Sequence, residues 1–143
     1  MLEAMLNWCK EASGMETGGI LLGLYSADLK RAEISRAIGP TSDSSSGQTW
    51  FVRGIKGLNR LLRRLWIVRK DYYLGEWHYH PNASPTPSNV DISQLEMIAR
   101  SKKYSCPEPI LVIVGGDPRG HWTMSVTVFP RDGEPTALTE QDV

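Results

Sequence analysis

Two histidines, His78 and His80, stand two residues apart in the stretch WHYHPNASPTPSNVD (77–91), and Asp91 follows eleven residues after His80. Tyr72 to His80 (YYLGEWHYH) is rich in aromatic residues and reads as a strand. Side chains alternate faces along a strand, so the two imidazoles point the same way, about 7 Å apart along the chain. Pro81 has no N–H to give a ladder and ends the strand. The loop NASPTP (82–87) then hands over to a helix from about Ser88, whose first turn carries Asp91. Two imidazoles and one carboxylate, converging with a fourth position open, is the ligand count of a catalytic zinc rather than a structural one. Each piece also has a plainer reading. Ser88-Asn-Val-Asp91 fits a capping box, and a carboxylate at its third position suits the helix dipole. A lone His-x-His on an exposed strand edge is often merely solvated. The combination within one short window favours the metal.

A partner lies upstream in METGGILLGLY (15–25). Glu16 precedes the apolar run Ile20, Leu21, Leu22 and Leu24, which reads as a buried strand, with Gly18, Gly19 and Gly23 allowing close backbone approach. Glu16-x-Gly-Gly-x-Leu-x-Gly, followed by His78-x-His80-Pro-x6-Ser88-x2-Asp91, resembles the JAMM (JAB1/MPN+) zinc metalloprotease family, in particular its small prokaryotic members. The resemblance runs from about Glu16 to Gly116. GEWHYHP and the long approach PTSDSSSGQTWF resemble more narrowly the JAB-type enzymes of bacterial ubiquitin-like conjugation operons, anti-phage ones included.

That resemblance implies Zn2+ held by His78, His80 and Asp91, with the pKa of a water at the open position lowered toward neutrality. Glu16 would stand outside the ligand set, taking the water's proton as general base and passing it to the leaving amine as general acid. Ser88 matches the family's oxyanion-stabilising serine; as a helix cap alone it would matter to stability instead, by about 1 kcal/mol. The bond implied is the amide after the C-terminal glycine of a ubiquitin-like protein, in a conjugate or a linear precursor. The extended substrate tail would pair with a strand edge, and the loop 40–49 would help frame its groove.

Other polar residues rank lower. Glu76 shares the histidines' strand parity and could meet an imidazole N–H from behind. Trp77 faces the other way and reads as core. His121, at a strand start, reads as structural, and Asp43 and Asp117 lie in loops with no spacing that recruits them.

At 143 residues the chain is large enough for one core, expected as a domain over 1–129 with a polar, frayed tail over 130–143. Acidic and basic residues balance at 16 each, so net charge points to no anionic partner. Residues 53–70 nevertheless hold seven Lys/Arg and no acid. A helix from about Arg53 to Val68 would place Ile55, Leu58, Leu61, Leu62, Leu65 and Trp66 inward and those charges on a solvated outer face. Further elements are expected as a helix over 1–13, strands near 31–38, 110–114 and 122–129, and a helix over 88–103 ending in Arg100, Lys102 and Lys103. The order reads as α/β with a helix-flanked central sheet. The resemblance adds the cytidine-deaminase-like JAMM fold, a curved mixed β-sheet flanked by helices. Deaminase chemistry itself is excluded, since it uses His-x-Glu with Pro-Cys-x-x-Cys. Cys106 here has no second cysteine beside it. Cys9 and Cys106 suggest no disulfide framework, and neither a leader nor a membrane span is evident, so a cytoplasmic protein is expected.

Two rival classes stand beside the peptidase. A non-catalytic MPN scaffold would be expected to lack the ligands, which are all present. A nucleic-acid binder using the basic segment lacks interleaved aromatic platforms. Within the enzyme class, processing of a sulfur-carrier-type ubiquitin-like protein is the alternative.

Overall fold

The computed structural model describes residues 1–28 and 30–139. Helix α1 (Leu2–Glu11) leads into β1 (Thr17–Tyr25) and β2 (Ala32–Ile38), a long arm carries the short β3 (Ser45–Ser46) and β4 (Phe51–Val52), and α2 (Leu58–Arg69) precedes β5 (Tyr72–Pro81). Then come α3 (Asn89–Arg100), β6 (Ile110–Gly116), β7 (Trp122–Val128) and β8 (Thr136–Ala137). Six strands form one mixed sheet in the order β2-β1-β5-β6-β7-β8, with β3 and β4 paired apart from it. Among the described strands only β5 and β6 run parallel; their connection is α3, the crossover that a parallel pair needs.

Strand parity sorts the core. Trp77 and Tyr79 of β5, with Val112 and Val114 of β6, face α1 and its buried Met5 and Cys9. Leu111 and Ile113 face the other way, onto Leu95 and Ile98 of α3 and Phe129. Beside them Ile20 and Leu22 of β1 meet Leu58, Leu62 and Leu65 of α2. Glu76, His78 and His80 pair across the β5–β6 ladder with Leu111, Ile113 and Gly115, so the histidines belong to the α2/α3 side.

One irregularity in β5 bears on the site. The register with β1 steps from Leu21↔Gly75 to Leu22↔Tyr73, leaving Leu74 as an extra residue. Such a bulge swaps the faces beyond it. Tyr73 is thereby brought to the same side as Glu76, while Leu74 joins the α1 core. Gly75 permits it: its φ is 146°, and a Cβ there would lie 1.9 Å from the Ile110 carbonyl oxygen.

Several sequence expectations are corrected. The helix expected from Arg53 begins at Leu58, behind a left-handed Gly57 (φ 78°). Asp43 is the reason: its carboxylate accepts hydrogen bonds from the amides of Ile55 (3.1 Å) and Lys56 (3.0 Å), holding 53–57 as loop, with Ile55 68 % exposed. Helix α3 stops at Arg100 because Ser101 is extended, so Lys102 and Lys103 lie beyond it. The chain after Pro130 does not fray at once. Arg131 donates from its backbone to Pro107 (2.7 Å) and from Nε to the Ala99 carbonyl (2.9 Å). Thr136–Ala137 then adds an edge strand to β7. The rest of the expected tail, 140–143, lies outside the described residues.

Candidate metal centre

β5 and the first turn of α3 bring His78, His80 and Asp91 together, with one ligand atom from each lying within 4.8 Å of the others. His78 Nδ1 is 2.6 Å from Asp91 Oδ1, and His80 Nε2 is 3.6 Å from Asp91 Oδ2. Ser88 caps α3 with both halves of the capping box present. Its hydroxyl accepts from the Asp91 amide (3.2 Å) and donates to Asp91 Oδ2 (2.6 Å), while its own N–H donates to the same oxygen (2.7 Å). The cap and the candidate ligand are therefore one structure: the motif that starts the helix also fixes the Asp91 carboxylate.

Each imidazole has a second partner. His80 Nδ1 lies 3.4 Å from the Ser84 carbonyl, which can only accept, so that nitrogen carries the proton and Nε2 is left toward Asp91. His78 Nε2 lies 3.8 Å from Glu76 Oε2. Burial alone would lower the pKa of His78, but the carboxylates of Asp91 and Glu76 outweigh it and lift the pKa to about 9. Burial likewise disfavours the charged form of Asp91, yet the hydrogen bonds from His78 and Ser88 bring its pKa down to about 2. Glu76 has Arg53 as counter-ion (2.9 Å). Among the described residues no lysine or arginine pairs with Asp91, whose partners are imidazoles, an amide and a hydroxyl. Buried anionic charge flanked by imidazoles is a setting that calls for a cation, and the nitrogen–oxygen donor set suits a divalent transition metal. The residues present fit the group.

Glu16 immediately precedes β1, and the register that pairs Thr17 with Tyr79 and Gly18 with His78 sets it at the histidine end of β5. Its amide donates to the Gly47 carbonyl (2.8 Å), tying the arm to the strand's start. Its carboxyl is half-buried and stands outside the ligand cluster. Burial raises its pKa and Asp91 adds to that, while His80 and His78 pull the other way. Glu16 lines a cleft of about 300 Å3 with Trp8, Thr17, Thr41, Ser45 and Phe51 among others, though His78, His80 and Asp91 are not in its lining. Larger hollows beside α2 and β7 do not include Glu16. Gly18 keeps the spot open, for a Cβ would meet the Trp77 carbonyl oxygen at 2.4 Å and both His78 Cδ2 and Phe51 Cε1 at 3.0 Å.

The lesser candidates fall as follows. Trp77 stacks on Trp8 (5.7 Å between centroids) and donates Nε1–H to the Ile38 carbonyl (3.0 Å), a core role. His121 is exposed in the β6–β7 turn, and Asp117 accepts from the Arg119 amide (2.8 Å). Asp43 organises the arm. Arg53, expected on a solvated helix face, instead reaches into the core to Glu76, and Phe51 sets its ring edge-on to His78 at 6.2 Å. No spacing in the sequence signals either contact, because both depend on how the arm folds back.

Residues 1–125 match the family model of prokaryotic homologs of the JAB domain. The chain belongs to this family. This JAB domain is 44 % identical over 139 residues to a "CD-NTase/cGAS isopeptidase" of Enterobacter hormaechei subsp. hoffmannii, covering 97 % of this chain and 77 % of that one. It is 33 % identical over 150 residues to "Probable metalloprotease y4qB" of Sinorhizobium fredii, covering 97 % and 90 %. The solution structure of protein DSY2949 from Desulfitobacterium hafniense shares the fold, with a TM-score of 0.62 over 96 % of this chain and 84 % of that one, at 17 % identity. The relatives support a JAB-type peptidase or isopeptidase, and the metal cluster supports a metal-dependent one. Among the described residues, no helix is long and apolar enough to cross a membrane.

Proposed function

We propose that this JAB domain is a zinc-dependent isopeptidase or peptidase that hydrolyses the amide after the C-terminal glycine of a ubiquitin-like modifier. The observation that carries the reading is the convergence of His78, His80 and Asp91, with Glu16 at the same end of the sheet through the pairing of Thr17 and Gly18 with Tyr79 and His78. Zn2+ held by these three residues would supply a Lewis acid that makes a water nucleophilic near neutral pH and polarises the scissile carbonyl. Glu16, its pKa raised by burial and outside the ligand set, is the general base: it accepts the proton of the attacking water. The water oxygen bonds to the carbonyl carbon, the C–N bond breaks, and Glu16 returns the proton to the leaving nitrogen. The products are a free glycine carboxylate and an amine. Ser88 is the donor assigned to the developing oxyanion. Its hydroxyl now donates to Asp91 Oδ2, so holding that carboxylate and stabilising the oxyanion compete for one proton, while the cap uses only the oxygen's lone pair.

For the substrate, the relative named CD-NTase/cGAS isopeptidase supports a protein conjugate, with a CD-NTase as the modified protein to try first. A linear precursor, including one of a sulfur-carrier-type ubiquitin-like protein, is the second class. The protein is expected to act away from membranes, in the cytoplasm, and its partner is protein rather than nucleic acid. The test is incubation with such conjugates and precursor fusions, before and after chelation, with products weighed by mass spectrometry. Cleavage after the terminal glycine, abolished by chelator and restored by Zn2+, is expected. Cleavage that survives complete metal removal would contradict the reading.

A further inference from the structure

Glu76 is completely buried (0 % exposed), yet its strand neighbours across the ladders are Ile20 and Leu111. An apolar side chain would pack there without the cost of taking a charge out of water. The carboxylate is instead held from several elements. Arg53, just after β4, donates from Nε (3.1 Å) and Nη2 (2.9 Å) to Oε1. The Tyr73 hydroxyl, brought round by the Gly75 bulge, donates to the same oxygen (3.2 Å). Gln94 of α3 donates to Oε2 (2.7 Å). The remaining contact of Oε2 is His78 Nε2 at 3.8 Å, an ion-pair distance longer than a hydrogen bond.

We propose that Glu76 is a positioning residue for the metal centre: with Arg53 as its counter-ion, it holds the Nε2 side of His78 and keeps Nδ1 turned toward Asp91 and the metal. The inference rests on the reading of His78, His80 and Asp91 as ligands. A ligand imidazole commonly presents its other N–H to a carboxylate or a backbone carbonyl, which fixes the tautomer and the ring orientation. His80 has such a partner in Ser84, and Glu76 fills that place for His78. The arm thereby touches His78 twice, through the Phe51 ring and through Arg53 by way of Glu76. Packing alone explains neither the buried charge nor the placement of its Oε2 beside His78.

The test compares wild type, E76Q and R53Q/E76Q. Zn2+ affinity is measured by competition with a chromophoric chelator, the visible spectrum is recorded with Co2+ in place of Zn2+, and the melting temperature is taken in excess chelator. E76Q leaves a buried guanidinium unpaired and is expected to lose thermal stability; the double variant removes that charge and is expected to recover most of it. Both variants are expected to bind Zn2+ about 10- to 100-fold more weakly, with altered Co2+ absorption. Zn2+ affinity and Co2+ spectrum returning to wild type in the double variant, together with stability, would overturn the positioning role and leave Glu76 a structural residue. Unchanged affinity in both variants would overturn it too. A wild-type protein that takes up no Zn2+ removes the metal centre itself, a separate and recognisable failure.

Discussion

Ser88 is the residue at which stability and chemistry are entangled, and three substitutions separate them. Ser88→Ala removes a hydroxyl that accepts from the Asp91 amide at 3.2 Å and donates to Asp91 Oδ2 at 2.6 Å. The lost cap costs about 1 kcal/mol. The lost hydrogen bond to an ionised carboxylate could add roughly 1.5–3 kcal/mol if it left that oxygen bare. It does not, since the Ser88 amide still donates to Oδ2 at 2.7 Å. The expected total is therefore about 1–2 kcal/mol, or a fall in melting temperature of roughly 3–8 °C for a domain of this size. Glycine caps a helix within a few tenths of a kcal/mol of serine, so Ser88→Gly should regain the cap contribution and melt above Ser88→Ala, short of wild type mainly by the lost hydroxyl–carboxylate bond. Both variants lack the oxyanion donor and should lose about a hundred- to a thousandfold in kcat at saturating Zn2+, whereas Ser88→Thr should keep most of the rate. The assay is a melt in chelator beside steady-state hydrolysis of a confirmed substrate, with metal content checked in each variant. A glycine variant that recovers rate as well as stability would refute a chemical role for the hydroxyl.

Two further outcomes follow from the same geometry. Gly18→Ala should destabilise the protein by about 1–3 kcal/mol by urea denaturation and lower its Zn2+ content, because the added Cβ meets the Trp77 carbonyl at 2.4 Å and crowds His78; wild-type stability with full metal content would contradict this. In the metal-free protein, His78 is lifted from its ordinary 6.5 to about 9. A raised folded-state pKa gives stability that is complete below 6.5 and lost as pH rises through about 9. Melting temperature in chelator should fall across that window, and His78→Asn should flatten the fall; a melt that is level from pH 6.5 to 9 would argue against the ion pairs of His78.

The parts of this site that sequence made legible are those built from neighbours along the chain. His78 and His80 share a face because strands alternate, and Asp91 follows because a proline-ended strand and a capping box leave few paths between them. Glu16 precedes a glycine-rich apolar run that reads as a buried strand, and its role comes from the resemblance to the JAMM family rather than from that pattern. Arg53 did not stand out, although it lies in the most conspicuous charge cluster of the chain. Its periodicity with Ile55 and Leu58 suits a helix, and the competing interaction is made by Asp43, twelve residues before Ile55, whose carboxylate takes the amides that would have opened that helix. The bulge that turns Tyr73 toward Glu76 was equally hidden, because it arises from how β1 and β5 register rather than from any pattern within β5. The edge strand at Thr136–Ala137 is two residues long and has no period to read.

The most direct measurement is the single-turnover hydrolysis rate of the Glu16→Gln protein on a confirmed conjugate, with one Zn2+ per chain verified beforehand. Glutamine keeps the shape of the side chain and cannot take a proton, so a fully loaded variant should bind the conjugate and cleave it about a hundred- to ten-thousandfold more slowly. Cleavage at the wild-type rate would show that the proton leaves the attacking water by another route, and Glu16 would lose its place in the mechanism.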